Sequence, residues 1–549
     1  MKSYKSIITI IVAFLAAGSC KQEVITLEAP ATTTPSTPSK GNADFTKFVA
    51  LGNSFVAGMQ GQALYNDGQA NSMAKIMAKQ FEQVGGSTTF NQPDIGSVNG
   101  FNPISSKPCA GLILGRLFLF DPDGSGPRTA APAAAKAPTV TSTCPSTVTT
   151  PAAPSPFNTA DLPGAYTGDK SKLNNFSVPL IYLGQALTPA TGGPNPGCVT
   201  CPTPSTNPAF TPYYQRFASN PSVNGTTGST MLTDALGAAG SFYLVWLGFD
   251  DVLLYAATGA DGASCGTYPM TSAAAFNGQY NAAITGMLTA NPAFKGVVGN
   301  IPDFTSLPYF YTVPWNTITL DAATATTLTT NLSTNYNAFL DAMVANTIIT
   351  ASERDKRKLT YVAGKNGVLM TDESLTDLSP YMAGPYAGLL PYARARQATS
   401  TDLVPLAAGS ILGTCFAGPT AVWGVSYPVT DQYILTATET AAILSRTAEF
   451  NTTISNAVAA SSGRLALADV RKAYNDLVTN KAYIANNVMI TPSFAPPTGA
   501  FSEDGIHPNS RGYAFTANVF IDAINTTFGA NVPKASLASY SGTALPVNP

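Results

Sequence analysis

His507 is the only histidine in a chain of 549 residues, so imidazole chemistry at neutral pH runs through it or does not occur. The same count excludes a zinc or iron site built from several histidines. Asp504 stands three residues ahead, across Gly505. That spacing lets the carboxylate fold back onto a ring N–H and fix the tautomer. Ser54 closes a Gly52-Asn53-Ser54 turn directly after the apolar residues 47–51. If those residues form a parallel strand, the serine stands at its carboxyl end, where open α/β sheets place their ligands. A third turn, Gly248-Phe249-Asp250-Asp251, follows the apolar residues 242–247 in the same way. Each segment also has a plainer reading: a chance Gly-Asn-Ser turn, a capping or surface histidine, two aspartates starting a helix.

The elements that would position these turns are legible from periodicity. Residues 242–247, 296–301 and 465–470 are continuous apolar runs of the kind buried in a parallel sheet. Met73, Ile76, Met77 and Phe81 recur at helical spacing and predict a helix over 70–83, capped by Asn71 or Ser72. Similar patterns predict helices over 275–289, 322–347, 437–460 and 512–526. Strands alternating with helices predict one layered α/β domain over 45–530, with loop-rich insertions near 102–165 and 186–230 and a tail over 531–549.

Composition bounds the setting. Charged residues make up 11% of the chain, under half of the roughly 25% usual in soluble domains. Uncharged polar side chains must cover the surface, which suits an extracytoplasmic protein. With 29 basic against 31 acidic residues and no basic run, there is no electrostatic footprint for nucleic acid. Lys2 and Lys5 precede an apolar run from Ile7 to Ala17, too short to span a bilayer and laid out as a secretory signal. Ala17-Gly18-Ser19 before Cys20 resembles a bacterial lipobox. The expectation is a signal over 1–20, acylation of Cys20, a Thr/Pro-rich tether over 21–44, and a lipid-anchored protein of the bacterial envelope, at the outer membrane and facing the periplasm or the surface. The six remaining cysteines, Cys109, Cys144, Cys198, Cys201, Cys265 and Cys415, can pair fully in an oxidising compartment. Cys198 and Cys201 lie among Pro, Gly and Thr with no second such pair, and read as a loop disulfide, not a zinc or redox motif.

In their order along the chain, the three turns resemble the blocks of the SGNH/GDSL hydrolase family, esterases and lipases with a three-layer α/β/α flavodoxin-like fold. The wider texture, from residues 63–73 through 300–308 to 504–515, is similar to GDSL-like outer-membrane lipoproteins of Bacteroidetes-type bacteria. The resemblance implies Ser54 as nucleophile, His507 as base and Asp504 as its orienting carboxylate. It also implies an oxyanion site from the N–H groups of Ser54 and Leu180 together with residue 250, and no metal or organic cofactor. The substrate it implies is an ester-bearing small molecule, lipid or acylated glycan. Two positions depart from the pattern. Asp250 stands where the family has a donating Asn, and an ionised carboxylate only accepts; a protonated one could donate. Leu180, in residues 175–180, stands where the family has Gly. A catalytically weak surface lipoprotein that binds glycan, lipid or a protein partner is therefore the alternative. An outer-membrane β-barrel is opposed by the strand–helix alternation.

Overall fold

Strand β1 (Phe48–Gly52) pairs in parallel with β2 (Phe242–Trp246), β2 with β3 (Lys295–Gly299), and β3 with β4 (Leu465–Ala468), giving a four-stranded sheet. Its register sets Gly52 opposite Trp246 and Val245 opposite Val298. The computed structural model describes residues 37–102, 115–119, 139–140, 163–197, 206–261, 268–416 and 420–544. Residues 174–178 run along the free side of β1: Ala50 N–H donates to Asn174 O, Phe176 N–H to Ala50 O, and Val178 N–H to Gly52 O. This segment makes one isolated parallel bridge, Asn175 to Ala50, beside the four-stranded sheet.

These strands form where the chain is apolar without a break, because both sheet faces are covered. Every residue of β1 and β2 is buried. Short helix α1 (Ser54–Ala57) follows β1, and α2 (Met73–Glu82) starts at Ser72, whose side chain accepts from Lys75 N–H. After β2 come α3 (Asp250–Ala257) and α4 (Ala273–Ala290). The predicted helix over 322–347 is α5 (Ala322–Leu328) and α6 (Thr334–Ala345), joined through a π-helical turn. Helix α7 (Ala437–Ala460) opens on a Thr436–Glu439 capping box. Helix α8 (Val470–Asn480) follows β4, and α9 (Ser510–Phe528) begins at the cap residue Asn509.

Alternation along β2 assigns the faces. Phe242 and Trp246, two apart from Leu244 on either side, point one way and meet α9 through Phe528 and Phe520, with ring centroids 5.7 and 5.3 Å apart. Phe242 also meets Phe81 of α2. Tyr243 points the other way and packs on Phe294. Helices α7 and α4 pack on each other through stacked Phe450 and Phe276, and α7 also touches α3 and β4.

Three boundaries differ from expectation. Residues 38–44, expected as tether, pack onto the domain: Ser39 and Asn531 exchange backbone hydrogen bonds, and Ala43 is buried. The tail is equally engaged, with Val532, Ala535 and Leu537 buried. The loop-rich stretch near 186–230 contributes core, since Tyr213, Tyr214 and Phe217 are buried. The short strands of the excursion between β3 and α7 are absent from the sequence reading: Ile318–Leu320 lies between Thr139–Val140 and Gly364–Asn366, and Leu369–Thr371 pairs with Ala395–Gln397. Among the described residues no helix is long and apolar enough to cross a membrane. The signal, Cys20, residues 21–36, Cys109, Cys144, Cys198, Cys201 and Cys265 lie outside the described residues, as does most of 103–162. Cys415 is described and is disulfide-bonded.

Candidate active site

The turn after β1 presents Ser54 as the first residue of α1, fully buried. Asn53 N–H donates to Trp246 O, and Asn53 Oδ1 accepts from Phe55 N–H at 3.2 Å, which caps α1. Gly52 is required by close approach, because a Cβ there would lie 2.4 Å from Val56 Cγ2. The sequence thus places a serine hydroxyl where β1 ends, beside the start of α3 that follows β2.

Asp504 and His507 meet as their spacing predicts. His507 Nδ1 lies 2.7 Å from Asp504 Oδ2. Asp504 Oδ1 also accepts from the N–H groups of Ile506 and His507, each at 2.8 Å, and from Ser502 Oγ; Oδ2 accepts from Gln62 N–H at 2.7 Å. Burial alone would raise the Asp504 pKa, but His507 and these donors together hold it below the ordinary carboxylate value. Gly505 makes the turn possible: its φ is +69°, and a Cβ would meet Tyr309 N at 2.9 Å. Ser502 ties the turn to residue 61 by accepting from Gly61 N–H, its single hydroxyl proton lying between His507 O and Asp504 Oδ1.

The ring of His507 lies 5.3 Å from that of Phe55, the residue after Ser54. His507 Nε2 is buried and has no hydrogen-bond partner among the described residues. Ser54 Oγ instead accepts from Leu180 N–H at 2.9 Å. Leu180 has φ +56°, the left-handed conformation that turns this N–H toward the serine. The loop carrying it is pinned three residues later, where Leu183 N–H donates to Asp251 Oδ2 at 2.8 Å; Asp251 Oδ1 accepts from Thr271 Oγ1. Burial raises Asp251 to about 7 against these two donors.

Asp250, its neighbour at the start of α3, is also buried. Burial, then the charge of Asp251, raise its pKa to about 8, while Asn53 lowers it. The carboxyl is therefore mostly protonated at neutral pH and is a donor there. Asp250 Oδ2, Asn53 Nδ2 and Tyr182 Oη, like His507 Nε2, are buried without a hydrogen bond of ordinary geometry. Buried polar atoms are nearly always satisfied in native proteins.

Ser54, Leu180, Asp504, His507 and Asp250 are thus brought to one region through the contacts of Leu180 with Ser54 and of Phe55 with His507 and Phe249. No hydrogen bond joins Ser54 to His507. Sequence reasoning missed Asn53, Gln62, Tyr182 and Ser502; only Asn53 and Ser502 carried a signal, as neighbours of Ser54 and Asp504. Elsewhere the carboxyls of Glu373, Asp431 and Glu439 converge, with ligand atoms within 4.8 Å of one another. Burial, then Glu373, raise Asp431 to about 9 and Glu439 to about 8. No family model matches the chain. No curated protein and no solved structure matches it either.

Proposed function

We propose that the protein is a serine hydrolase of carboxylic ester bonds with a flavodoxin-like, SGNH-type fold. The observation that carries this reading is the Asp504–His507 pair, whose outer nitrogen is buried, unpartnered and next to the Ser54 turn. The parallel pairing of β1 with β2 supports it, since it sets the Ser54 and Asp250 turns side by side at the carboxyl ends of adjacent strands.

Ser54 acts once its hydroxyl leaves the Leu180 N–H and turns to His507. Nε2 takes the proton, Oγ attacks the ester carbonyl carbon, and the vacated Leu180 N–H, the Ser54 N–H and the protonated Asp250 receive the oxyanion. Collapse expels the alcohol, which takes the proton from His507. Water, deprotonated by the same nitrogen, then releases the acid from Ser54. Asp504 holds the ring and balances its transient charge without taking the proton. An alkyl fluorophosphonate is expected to label the wild type and to fail on Ser54→Ala and His507→Ala. A folded wild type that resists labelling overturns the reading.

The missing Ser54–His507 hydrogen bond favours a second reading, a binding protein of the envelope that recognises lipid, acylated glycan or a protein. Under it, ligand retention is unchanged in Ser54→Ala while no labelling occurs. Acylation at Cys20 belongs to either reading, and loss of radiolabelled palmitate incorporation in Cys20→Ser checks it.

A further inference from the structure

Arg216 is a cation nearly shut off from water, with 7% of its surface exposed. It follows the helical turn Pro212–Gln215. Its hydrogen bonds all go to backbone carbonyls: Nε donates to Gly164 O at 3.2 Å, Nη1 to Pro93 O and Nη2 to Asp94 O. A guanidinium has five N–H groups, so two remain, and among the described residues no carboxylate accepts from them. Asp94 is exposed, and its carboxyl accepts from Gln92 Nε2. Burial lowers the Arg216 pKa to about 10 against the charge of Asp94, which marks a buried cation without a full counter-charge.

Arg216 borders a cavity of about 10 Å³ with Ser177, Asn175, Gln69, Ala57 and Pro179. That is room for about one water-sized body, too little for a phosphate or a carboxylate. Ser177, 5% exposed, lines the cavity, and its buried Oγ has no hydrogen-bond partner. The two amides of the lining present spare donors. Gln69 Oε1 is taken by Ile95 N–H and Asn175 Oδ1 by Ser177 N–H. Each amide nitrogen spends one of its two hydrogens, on Pro93 O and Val56 O. Water would bring two hydrogens of its own to a lining short of acceptors. A halide brings none, accepts from every spare donor, and supplies the charge that Arg216 lacks.

We propose that this cavity is a halide site, filled by chloride that accepts from the Ser177 hydroxyl and the Arg216 guanidinium. Pro179 borders the ion and Leu180 follows it, so chloride ties the segment that delivers the Leu180 N–H to the stretch around Arg216. The site stands on contacts independent of the hydrolase reading.

Crystals grown in sodium bromide read the occupant directly, and an anomalous bromine peak in the cavity is expected. Melting against chloride, with ionic strength held constant by gluconate, reads affinity. The wild-type Tm rises with chloride and saturates. Ser177→Ala requires about 10-fold more chloride, as loss of one hydrogen bond to a charged group implies, and Arg216→Gln shows no saturable rise. Wild type and Ser177→Ala decide the matter should Arg216→Gln fail to fold. A cavity peak without bromine signal, water only, overturns the proposal. So does a bromine peak with no saturable rise in Tm, an adventitious ion only, or one midpoint shared by wild type and Ser177→Ala. Hydrogen exchange over residues 175–183 reads the tie to Leu180: it is several-fold slower in chloride than in gluconate, and equal exchange in the two salts overturns that tie.

Discussion

Leu180 carries a conformation that leucine resists, with a cost of about 1–2 kcal/mol in the left-handed region. Its backbone nonetheless holds φ +56° and delivers an N–H to Ser54 Oγ. Leu180→Gly removes the strain and the side chain together. The expected result is retained fluorophosphonate labelling, with kcat/KM for bulky acyl esters raised several-fold over that for acetyl esters. Equal ratios in both proteins would show that the side chain does not border the acyl path. The Asp504–His507 contact was legible because three residues and a glycine suffice to make it. Leu180 lies 126 residues from Ser54, and only the family resemblance pointed to it. Asn53 was legible only as part of the Ser54 turn; that its amide oxygen caps α1 is seen in the fold.

Strands and helices were readable wherever burial imposes a period. The four strands of the main sheet and α2, α4, α7 and α9 lie where apolar spacing puts them, because a strand covered on both faces admits few polar residues. The excursion before α7, apart from its helices α5 and α6, was not readable, since polar contacts hold much of it. Arg396 donates to Asp372 at 2.5 Å and to both oxygens of Asp402 at 2.7 and 2.8 Å, all three residues being buried. Such a cluster has no periodic signature. Removing one partner strands a buried charge, so Asp402→Ala should cost about 3–5 kcal/mol, measured as a lowered urea midpoint. Closer to the site, Asp251→Ala frees the Leu183 N–H and with it the Leu180 loop. A stability loss of about 1–3 kcal/mol with slower labelling of Ser54 is expected; unchanged labelling would mean that the loop is held elsewhere.

At the scale of the whole molecule, protonated carboxyls stand out in a chain with few charges. Asp250, Asp251, Glu503, Asp431 and Glu439 all have pKa values raised, first by burial, to between about 7 and 9. The folded chain keeps these protons where the unfolded chain has lost them. Their contribution to stability is therefore complete below the ordinary values of 3.8 and 4.5 and is lost as pH rises toward about 9. Asp504, lowered, acts oppositely: its contribution is present above 3.8 and fades as pH falls through its folded value. The expected outcome is a Tm that falls between pH 5 and pH 9, less steeply in Glu439→Gln; a Tm rising over that window would contradict it. The Ser39–Asn531 pairing sets a direction as well as a boundary. It fastens the start of the packed chain just beyond the carboxyl end of α9, whereas His507 lies just ahead of the amino end. Nineteen helical residues separate the two, roughly 28 Å. The tie at residues 39 and 531 and the imidazole at residue 507 are thus set about one helix length apart along α9.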